Sequence, residues 1–261
     1  MSLEDLVNKS IYIIREAKNQ FKNVAALWST GKDSTVLLAL ARQAFFGKIH
    51  FPAIHIDNGL DFPETYALRD ELSKEWKFKV IVAKSKIMNA KKNITGLRCC
   101  GANKTEALKE VIEQHKFDGL FVSIRRDEHG IRAKERYFSP RDSNFRWDYL
   151  NQPAEVWDYY IKNNNANHTR IHPLLHWTEL DIWKYIKQEN LPVNPLYFSR
   201  NGKRFRSLGC TQCTVSVDSE AKTIDDIIKE LEKTNVPERS GRFKGKEDEL
   251  IMQRLRALGY M

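Results

Sequence analysis

The sequence has few cysteines and no long apolar run. It contains 4 cysteines, none of which follows Cys213. No stretch reaches the roughly 18 consecutive apolar residues that a membrane helix needs, which excludes a membrane span. The first five residues are acidic and lack the basic-then-apolar order of a secretion signal. These absences predict a cytoplasmic protein that does not cross a membrane.

The composition is sufficient for a folded core. Of 261 residues, 41% are hydrophobic and 30% are charged, which excludes wholesale disorder and suits one large domain, or one domain with an appendage. Lys and Arg number 43 against 34 Asp and Glu, so the net charge is +9. This charge favours a polyanionic partner, namely a nucleic acid, a nucleotide or an acidic protein, although an inert basic surface has the same composition.

Short apolar runs alternate with helical patterns in the first half of the chain. Strands are predicted at residues 24–28, 50–56, 79–83 and 119–123, and helices at residues 3–21, 35–44, 62–76 and 104–115. This alternation predicts an α/β protein with a parallel sheet covered by helices on both faces. Ligands of such sheets bind beyond the carboxyl ends of the strands. We therefore expect the segments that follow three of the strands to converge on one crevice, namely residues 29–34, 57–61 and 125–132.

The pattern changes after about residue 140. Helices are predicted at residues 178–189, with Thr178 as the N-cap, and at residues 223–234. Trp177 and Trp183 are expected in the core, because aromatic pairs at helical spacing usually pack. The polar, basic stretch that starts at Pro237 is expected to be mobile or bound to a partner.

The turn after the first strand has several features of a phosphate site. Because a helix follows it, free N–H groups and the positive end of the helix dipole favour an anion. Gly31 allows close approach, Lys32 adds positive charge, and Asp33 is unusual beside an anion unless it holds Mg²⁺ or caps the turn. The spacing is not that of a Walker-type loop, and an ordinary strand–helix turn stays an alternative. The residues of this turn are Ser29, Thr30, Gly31, Lys32, Asp33 and Ser34.

The turn resembles the Ser-Gly-Gly-Lys-Asp-Ser loop of the adenine-nucleotide alpha-hydrolases, or PP-loop ATP pyrophosphatases. Thr30 stands where that family has a glycine, which is tolerated if the φ angle of Thr30 is negative. Further blocks, spread over nearly the whole chain, resemble the phosphoadenylyl-sulfate reductases and the small subunit of the two-subunit sulfate adenylyltransferase. These blocks are His55-Ile56-Asp57-Asn58-Gly59, Arg125-Arg126-Asp127-Glu128, Trp177-Thr178-Glu179-Leu180-Asp181-Ile182-Trp183 and Leu191-Pro192-Val193-Asn194-Pro195-Leu196-Tyr197.

The resemblance implies a Rossmann-like adenine-nucleotide alpha-hydrolase fold, with ATP and Mg²⁺ as ligands. It implies a PP-loop domain at residues 1–200 and a mostly helical or irregular, cysteine-containing region with a basic tail at residues 201–261. The turn would hold the β- and γ-phosphates of ATP, or pyrophosphate after cleavage. Asp57 and Gly59 would border the adenosine.

The resemblance also implies a catalytic set. AMP transfer builds negative charge on the α-phosphate and on the leaving diphosphate, which preorganised cations stabilise. By residue type alone, the arginines would equally fit a solvated salt-bridge surface. The implied catalytic residues are Lys32, Asp33, Arg125, Arg126 and Arg132.

The four cysteines form two tight pairs, Cys99 with Cys100 and Cys210 with Cys213. In a cytosolic chain such spacing indicates metal or redox chemistry, so zinc, an iron–sulfur cluster and unligated thiols are the alternatives. The pattern is similar to the cluster motif of iron–sulfur adenylyl-sulfate reductases and of the ATP pyrophosphatases of DNA phosphorothioation. That resemblance implies a [4Fe–4S] cluster held by all four cysteines.

Four functions are consistent with these motifs. The chain lacks the C-terminal cysteine of the reductases, which favours an AMP-forming ATP pyrophosphatase that activates DNA phosphate for sulfur insertion, in a complex that includes a cysteine desulfurase. Basic residues at Lys91, Lys92 and positions 203–206 would then contact DNA, unless they are only solvated. The first alternative is the small subunit of sulfate adenylyltransferase, acting with a GTPase subunit. The others are a sulfonucleotide reductase that borrows a cysteine and a non-catalytic, cluster-bearing scaffold.

Overall fold

The computed structural model describes residues 1–84, 96–128, 132, 135–236 and 238, without the side chains of residues 96–103. Within these ranges, no helix combines the length and the apolar character that crossing a bilayer requires. The strands are β1 Val24–Leu27, β2 Ala53–Asp57, β3 Val80–Lys84, β4 Gly119–Phe121, β5 Phe138–Arg141, β6 His168–Ile171, β7 Lys203–Arg204 and β8 Val217–Asp218. The helices are α1 Leu3–Gln20, α2 Lys32–Ala44, α3 Pro63–Glu75, α4 Gly96–His115, α5 Glu179–Gln188 and α6 Ile224–Lys233, with a short 3-10 helix at Pro195–Tyr197.

The main sheet has six strands in the order β3-β2-β1-β4-β6-β5. The pairs β1–β2, β2–β3, β1–β4 and β4–β6 are parallel, and among the described strands of this sheet only β5 runs antiparallel, beside β6 at the edge. Helix α1 packs on α2, α2 on α5 and α5 on α6, whereas α4 packs on β2 and β3. The predicted α/β class with a mostly parallel sheet and flanking helices is confirmed.

Strand β1 lies at the centre of the sheet because its sequence is wholly apolar. All four residues are buried, as expected for a strand covered on both faces. Ala26 pairs with Ala53 on one side and with Phe121 on the other. The chain order reverses direction about β1, since β2 and β4 lie on its two sides, and this is where open α/β sheets bind ligands.

The sequence analysis missed strands β5 and β6. Their residues are mostly polar, yet His168, Thr169 and Arg170 are all at most 2% exposed. Arg141 on β5 is also buried, and its guanidinium contacts the Glu135 carboxylate at 3.2 Å. Buried polar side chains in short strands give no hydrophobic signal, because their burial depends on partners elsewhere in the sequence.

The C-terminal helices follow the expected pattern. Thr178 is the N-cap of α5, with its hydroxyl accepting from the Asp181 N–H at 3.2 Å, as predicted. Trp177 and Trp183 are buried in the core, which confirms that expectation. The proposed division at residue 200 stays a prediction, and α5 and α6 pack on each other across it.

Candidate nucleotide site

A cleft opens at the carboxyl ends of β1, β2 and β4. The three segments expected to converge there each contribute to it. The turn after β1 contributes Ser29 and Gly31 to Ser34, the loop after β2 contributes Asp61, and the loop after β4 contributes Glu128 and Arg132. The rest of the lining is more apolar and includes Trp28, Ile54, His55, Ile56, Val122, Ile124 and Leu208.

Helix α2 begins directly at the turn that follows β1, so that its first residues line the cleft. Gly31 is the N-cap, and the Thr35 N–H donates to its carbonyl at 3.0 Å. The Lys32 N–H donates to the Tyr197 hydroxyl at 2.9 Å. A Cβ atom at position 31 would lie 3.3 Å from the Ser29 hydroxyl and 3.4 Å from that of Tyr197, so glycine is the residue that fits this close approach.

The condition under which threonine would be tolerated at position 30, a negative φ, is not met. Thr30 has a φ of 57°, in the left-handed region that glycine adopts freely and β-branched residues avoid. The side chain is 1% exposed, and its hydroxyl has no hydrogen-bond partner among the residues that the structure describes. The threonine therefore keeps the loop conformation of a glycine at an energetic cost.

Two buried cations lie behind the turn. Lys32 and Arg125 are 1% and 0% exposed. The Lys32 ammonium contacts Asp33 at 3.1 Å and Glu238 at 2.5 Å. The Arg125 guanidinium pairs with Asp33, with Asp127 at 2.9 Å and with Glu238 at 2.5 Å. A buried cation pair of this kind can stabilise phosphate oxygens more strongly than exposed cations can.

The electrostatics of this cluster favour the charged forms. Burial alone would raise the pKa of Glu238, but the neighbouring Lys32 and Arg125 outweigh burial and lower it. Burial alone would likewise lower the pKa of Arg125, and the carboxylates of Glu238 and Asp127 raise it instead. Glu238 and Arg125 are therefore fixed charges.

Sequence reasoning gave Glu238 no role in this site. It lies in the stretch that was expected to be mobile or bound to a partner, and it is 8% exposed in contact with Lys32. Residues 239–246 of that stretch lie outside the described residues. A single carboxylate in a basic segment was the available signal, and it does not indicate which cation the carboxylate meets.

The other predicted arginines occupy different places. Arg132 lines the cleft and pairs with Glu128. Arg126 contacts the His176 ring, and its guanidinium also donates to the Glu135 carbonyl at 3.3 Å. Arg126 is not among the residues that line the described part of the cleft. Its catalytic role stays a prediction.

Asp57 and Gly59 shape the loop after β2. The Asp57 carboxylate accepts from the Gly59 N–H and from the Tyr66 hydroxyl, both at 2.8 Å. Gly59 has a φ of 68°, and burial together with the Asp57 carboxylate raises the pKa of Tyr66 to about 12. Neither Asp57 nor Gly59 is among the cleft-lining residues of the described chain, whereas Asp61 is.

His55 and Asp61 form a polar pair at the apolar end of the cleft. His55 Nε2 lies 3.7 Å from the Asp61 carboxylate, and its Nδ1 lies 3.1 Å from the Trp28 carbonyl. Burial lowers the pKa of His55 and raises that of Asp61, so it favours the neutral form of both. His55 and Asp61 therefore add little fixed charge to this end of the cleft.

The second cysteine pair lies close to the cleft. Cys210 is buried, and the Cys213 N–H donates to the Cys210 carbonyl at 3.1 Å in a tight turn. The Thr211 N–H donates to the Leu60 carbonyl at 2.8 Å, which joins this turn to the loop after β2. The side chains of Cys99 and Cys100 lie outside the described residues. Among the described side chains, no group of three or more His, Cys, Asp or Glu residues could hold a metal ion.

The basic segment at residues 203–206 makes internal ion pairs. Arg204 is buried and contacts Glu230 at 2.7 Å, and Arg206 contacts Glu179 at 2.7 Å. Lys91 and Lys92 lie outside the described residues. Two of the arginines expected to contact DNA are thus paired within the protein.

Residues 23–216 match the phosphoadenosine phosphosulfate reductase domain. The chain belongs to this family. Sulfate adenylyltransferase subunit 2 of Aeromonas salmonicida is 39% identical, with 99% of this chain and 95% of that protein covered. The protein of the same name from Allorhizobium ampelinum is 38% identical, with 99% of this chain and 93% of that protein covered. The predicted enzyme class, an ATP-using adenylyltransferase, is confirmed by these matches.

Solved structures agree on the fold of this family. FMN adenylyltransferase of Candida glabrata in complex with ATP has a TM-score of 0.60 at 18% identity, covering 99% of this chain and 83% of that one. Phosphoadenylyl-sulfate reductase of Candida auris has a TM-score of 0.54 at 17% identity, covering 82% of this chain and 96% of that one. At these identities the likeness concerns the fold alone.

Proposed function

We propose that this protein is the adenylylating subunit of a sulfate adenylyltransferase, which converts ATP and sulfate to adenylyl sulfate and pyrophosphate. The observation that carries the proposal is the 38–39% identity to sulfate adenylyltransferase subunit 2, which extends over 99% of the chain. The cleft supports it, because its buried cations suit an anion whose charge changes during the reaction.

In the proposed reaction the protein mainly positions the substrates and stabilises charge, and does little covalent chemistry itself. A sulfate oxygen attacks the α-phosphorus of ATP, the bond between the α- and β-phosphates breaks, and pyrophosphate leaves. The start of α2 and Lys32 would hold the departing diphosphate, since free N–H groups and a lysine cation both favour it. Arg125 and Arg132 would stabilise the charge at the α-phosphate and on sulfate.

The remaining cleft residues suit the nucleoside and the metal. Ile54, Ile56 and Leu208 offer an apolar wall for the adenosine. Asp33 would hold Mg²⁺, because one or two carboxylates together with substrate phosphates are a common ligand set for this ion. Bound Mg²⁺ would neutralise charge on the phosphates.

The partner follows from the same proposal. The relatives are called subunit 2, so we expect a second subunit, which in the two-subunit enzyme is a GTPase. Activation of DNA phosphate with a cysteine desulfurase, the first hypothesis from the sequence, gains no support from these relatives. The internal pairing of Arg204 and Arg206 also leaves fewer cations for DNA phosphates.

The decisive experiment measures adenylyl sulfate and pyrophosphate with purified protein, ATP and Mg²⁺. We expect product only when sulfate and the GTPase partner are both present, with no requirement for DNA. Pyrophosphate release that requires DNA and a sulfur donor would support the phosphorothioation hypothesis instead. Sulfite release with thioredoxin would indicate the reductase, and ATP binding without any AMP transfer would indicate the scaffold.

A [4Fe–4S] cluster on Cys99, Cys100, Cys210 and Cys213 stays part of the proposal. The tight turn at Cys210 and Cys213 presents one thiol pair beside the loop after β2. Anaerobic purification followed by iron and sulfide analysis tests it. Cys210→Ser is expected to lose iron and Thr211→Ala to retain it, whereas equal iron contents would contradict the ligand set.

A further inference from the structure

The Glu238 carboxylate bridges the two buried cations of the phosphate site. One oxygen lies 2.5 Å from the Lys32 ammonium, and the other lies 2.5 Å from the Arg125 guanidinium. Phosphate and sulfate also bind in this arrangement, with one oxygen on a lysine and another on an arginine. The carboxylate thus occupies a position suited to a substrate oxyanion.

The net charge of the cluster explains why the position of Glu238 matters for phosphate binding. The two cations, Lys32 and Arg125, contact three carboxylates, those of Asp33, Asp127 and Glu238. The cluster carries a formal charge of about −1 when all five groups are ionised. A triphosphate brings further negative charge, so it meets repulsion there for as long as Glu238 stays in place.

Displacement of Glu238 from the two cations would remove the excess negative charge of the cluster. The cluster would become neutral, and two buried cations would each gain a position for a phosphate oxygen. Asp33 lies on the turn itself, and the other oxygen of Asp127 accepts from the Glu179 N–H, at the start of α5, at 2.8 Å. Among these three carboxylates, Glu238 is the one that comes from a distant part of the chain.

We propose that Glu238 is an internal competitor of the substrate phosphates, and that nucleotide binds productively only after Glu238 has left Lys32 and Arg125. This inference rests on the proposed function, in which those two residues bind phosphate. The apparent affinity of such a site is reduced by the fraction of molecules in which Glu238 occupies it. Glu238 therefore weakens phosphate binding for as long as it contacts the two cations, and this competition is the brake that the experiments below test.

The test is the binding of pyrophosphate, measured by calorimetry on the full chain. Glu238→Gln is expected to bind pyrophosphate at least tenfold more tightly than the unaltered protein. Glu230→Gln is the matched control, because it removes a carboxylate from the buried Arg204 without touching the cleft, and we expect no change in affinity. Unchanged or weaker binding by Glu238→Gln would overturn the proposal and make Glu238 a positioning residue for the cations.

Lys32→Ala separates this inference from the proposed function. If Lys32→Ala abolishes pyrophosphate binding while Glu238→Gln does not strengthen it, the phosphate site stands and the brake is refuted. If Lys32→Ala binds as tightly as the unaltered protein, or if no variant binds, the phosphate site is refuted together with the brake.

Hydrogen exchange on the unaltered protein gives a second measurement that needs no variant. Competition predicts faster exchange of the peptide that contains residue 238 when pyrophosphate is saturating, because Glu238 loses its buried contacts. Slower or unchanged exchange of that peptide would contradict displacement.

Discussion

The two ends of the cleft have opposite electrostatic character. At one end, Lys32 lines the cleft and, together with Arg125 behind it, is buried among carboxylates. At the other end, Ile54 and Leu208 form an apolar wall, and burial favours the neutral forms of its polar pair. Under the proposed function, this difference predicts that the end at Lys32 stabilises charge that develops in the reaction, whereas the apolar end only binds the nucleoside.

Removing one lysine from each end tests this division. Lys32→Ala is expected to lower kcat/KM for ATP about 100-fold or more, since a preorganised cation at developing charge has an effect of that size. Lys104 lines the same cleft near His55. Lys104→Ala is expected to lower kcat/KM for ATP about tenfold at most, because Lys104 lies away from the developing charge. Steady-state adenylyl sulfate formation with the GTPase partner is the measurement. Equal losses would mean that the two ends are not distinct.

A truncation at the apolar end is expected to affect binding only. Leu208→Ala removes part of the wall and is expected to raise the KM for ATP about tenfold or less, with kcat unchanged, because apolar contacts with the nucleoside are the same in the ground and transition states. Leu180→Ala, at a partly buried leucine outside this cleft, is the control. A fall in kcat with unchanged KM would assign Leu208 to the reacting end.

Replacing Thr30 with glycine should stabilise the protein, because it relieves the strain in the turn after β1. Thr30→Gly is expected to raise the free energy of unfolding by about 1 kcal/mol, because it removes left-handed strain and a buried unpaired hydroxyl, partly offset by the greater freedom of glycine in the unfolded chain. Thr30→Ala removes the hydroxyl and keeps the strain, so its gain should be smaller. Urea denaturation of both variants gives the comparison, and a more stable alanine variant would refute the strain.

Acid titration should reveal the fixed charge on Glu238. Its pKa is lowered in the folded protein, so below the ordinary value, near ~4.3, the unfolded state binds more protons than the folded state. The stability that the ion pairs provide is fully present above that value and is lost as the pH falls towards the lowered pKa. The free energy of unfolding of Glu238→Gln should therefore fall less between pH ~5 and pH ~2 than that of the unaltered protein, whereas Glu220→Gln, at an exposed residue, should behave as the unaltered protein does.

The predictability of the fold differs between the two halves of the sheet. Strand β1 is apolar throughout and precedes a glycine-containing turn, so local pattern alone predicts strand, turn and helix. Strand β6 contains His168 and Arg170, which are buried by pairing with β4 and β5. Since those partners are brought together only by the complete fold, no short window of sequence indicates the strand.

The same distinction applies to the site. The turn at Lys32 was predictable because its donors, its charge and its helix are contiguous in the sequence. Glu238 was not, because the ion pair with Lys32 joins residues 206 positions apart. The φ angle of Thr30 could not be read from the sequence, because a threonine at a family glycine position fits either a relaxed negative φ or the strained positive φ that the structure has.

The hydrogen bond from the Lys32 N–H to the Tyr197 hydroxyl joins residues 165 positions apart. It makes the first amide of α2 depend on a phenol that belongs to the 3-10 helix Pro195–Tyr197. Substitutions at the two places should consequently be non-additive, so that a change in one alters which residues are tolerated in the other. Divergence within such a lineage would then proceed by paired replacements, with epistasis between two stretches that look independent in the sequence.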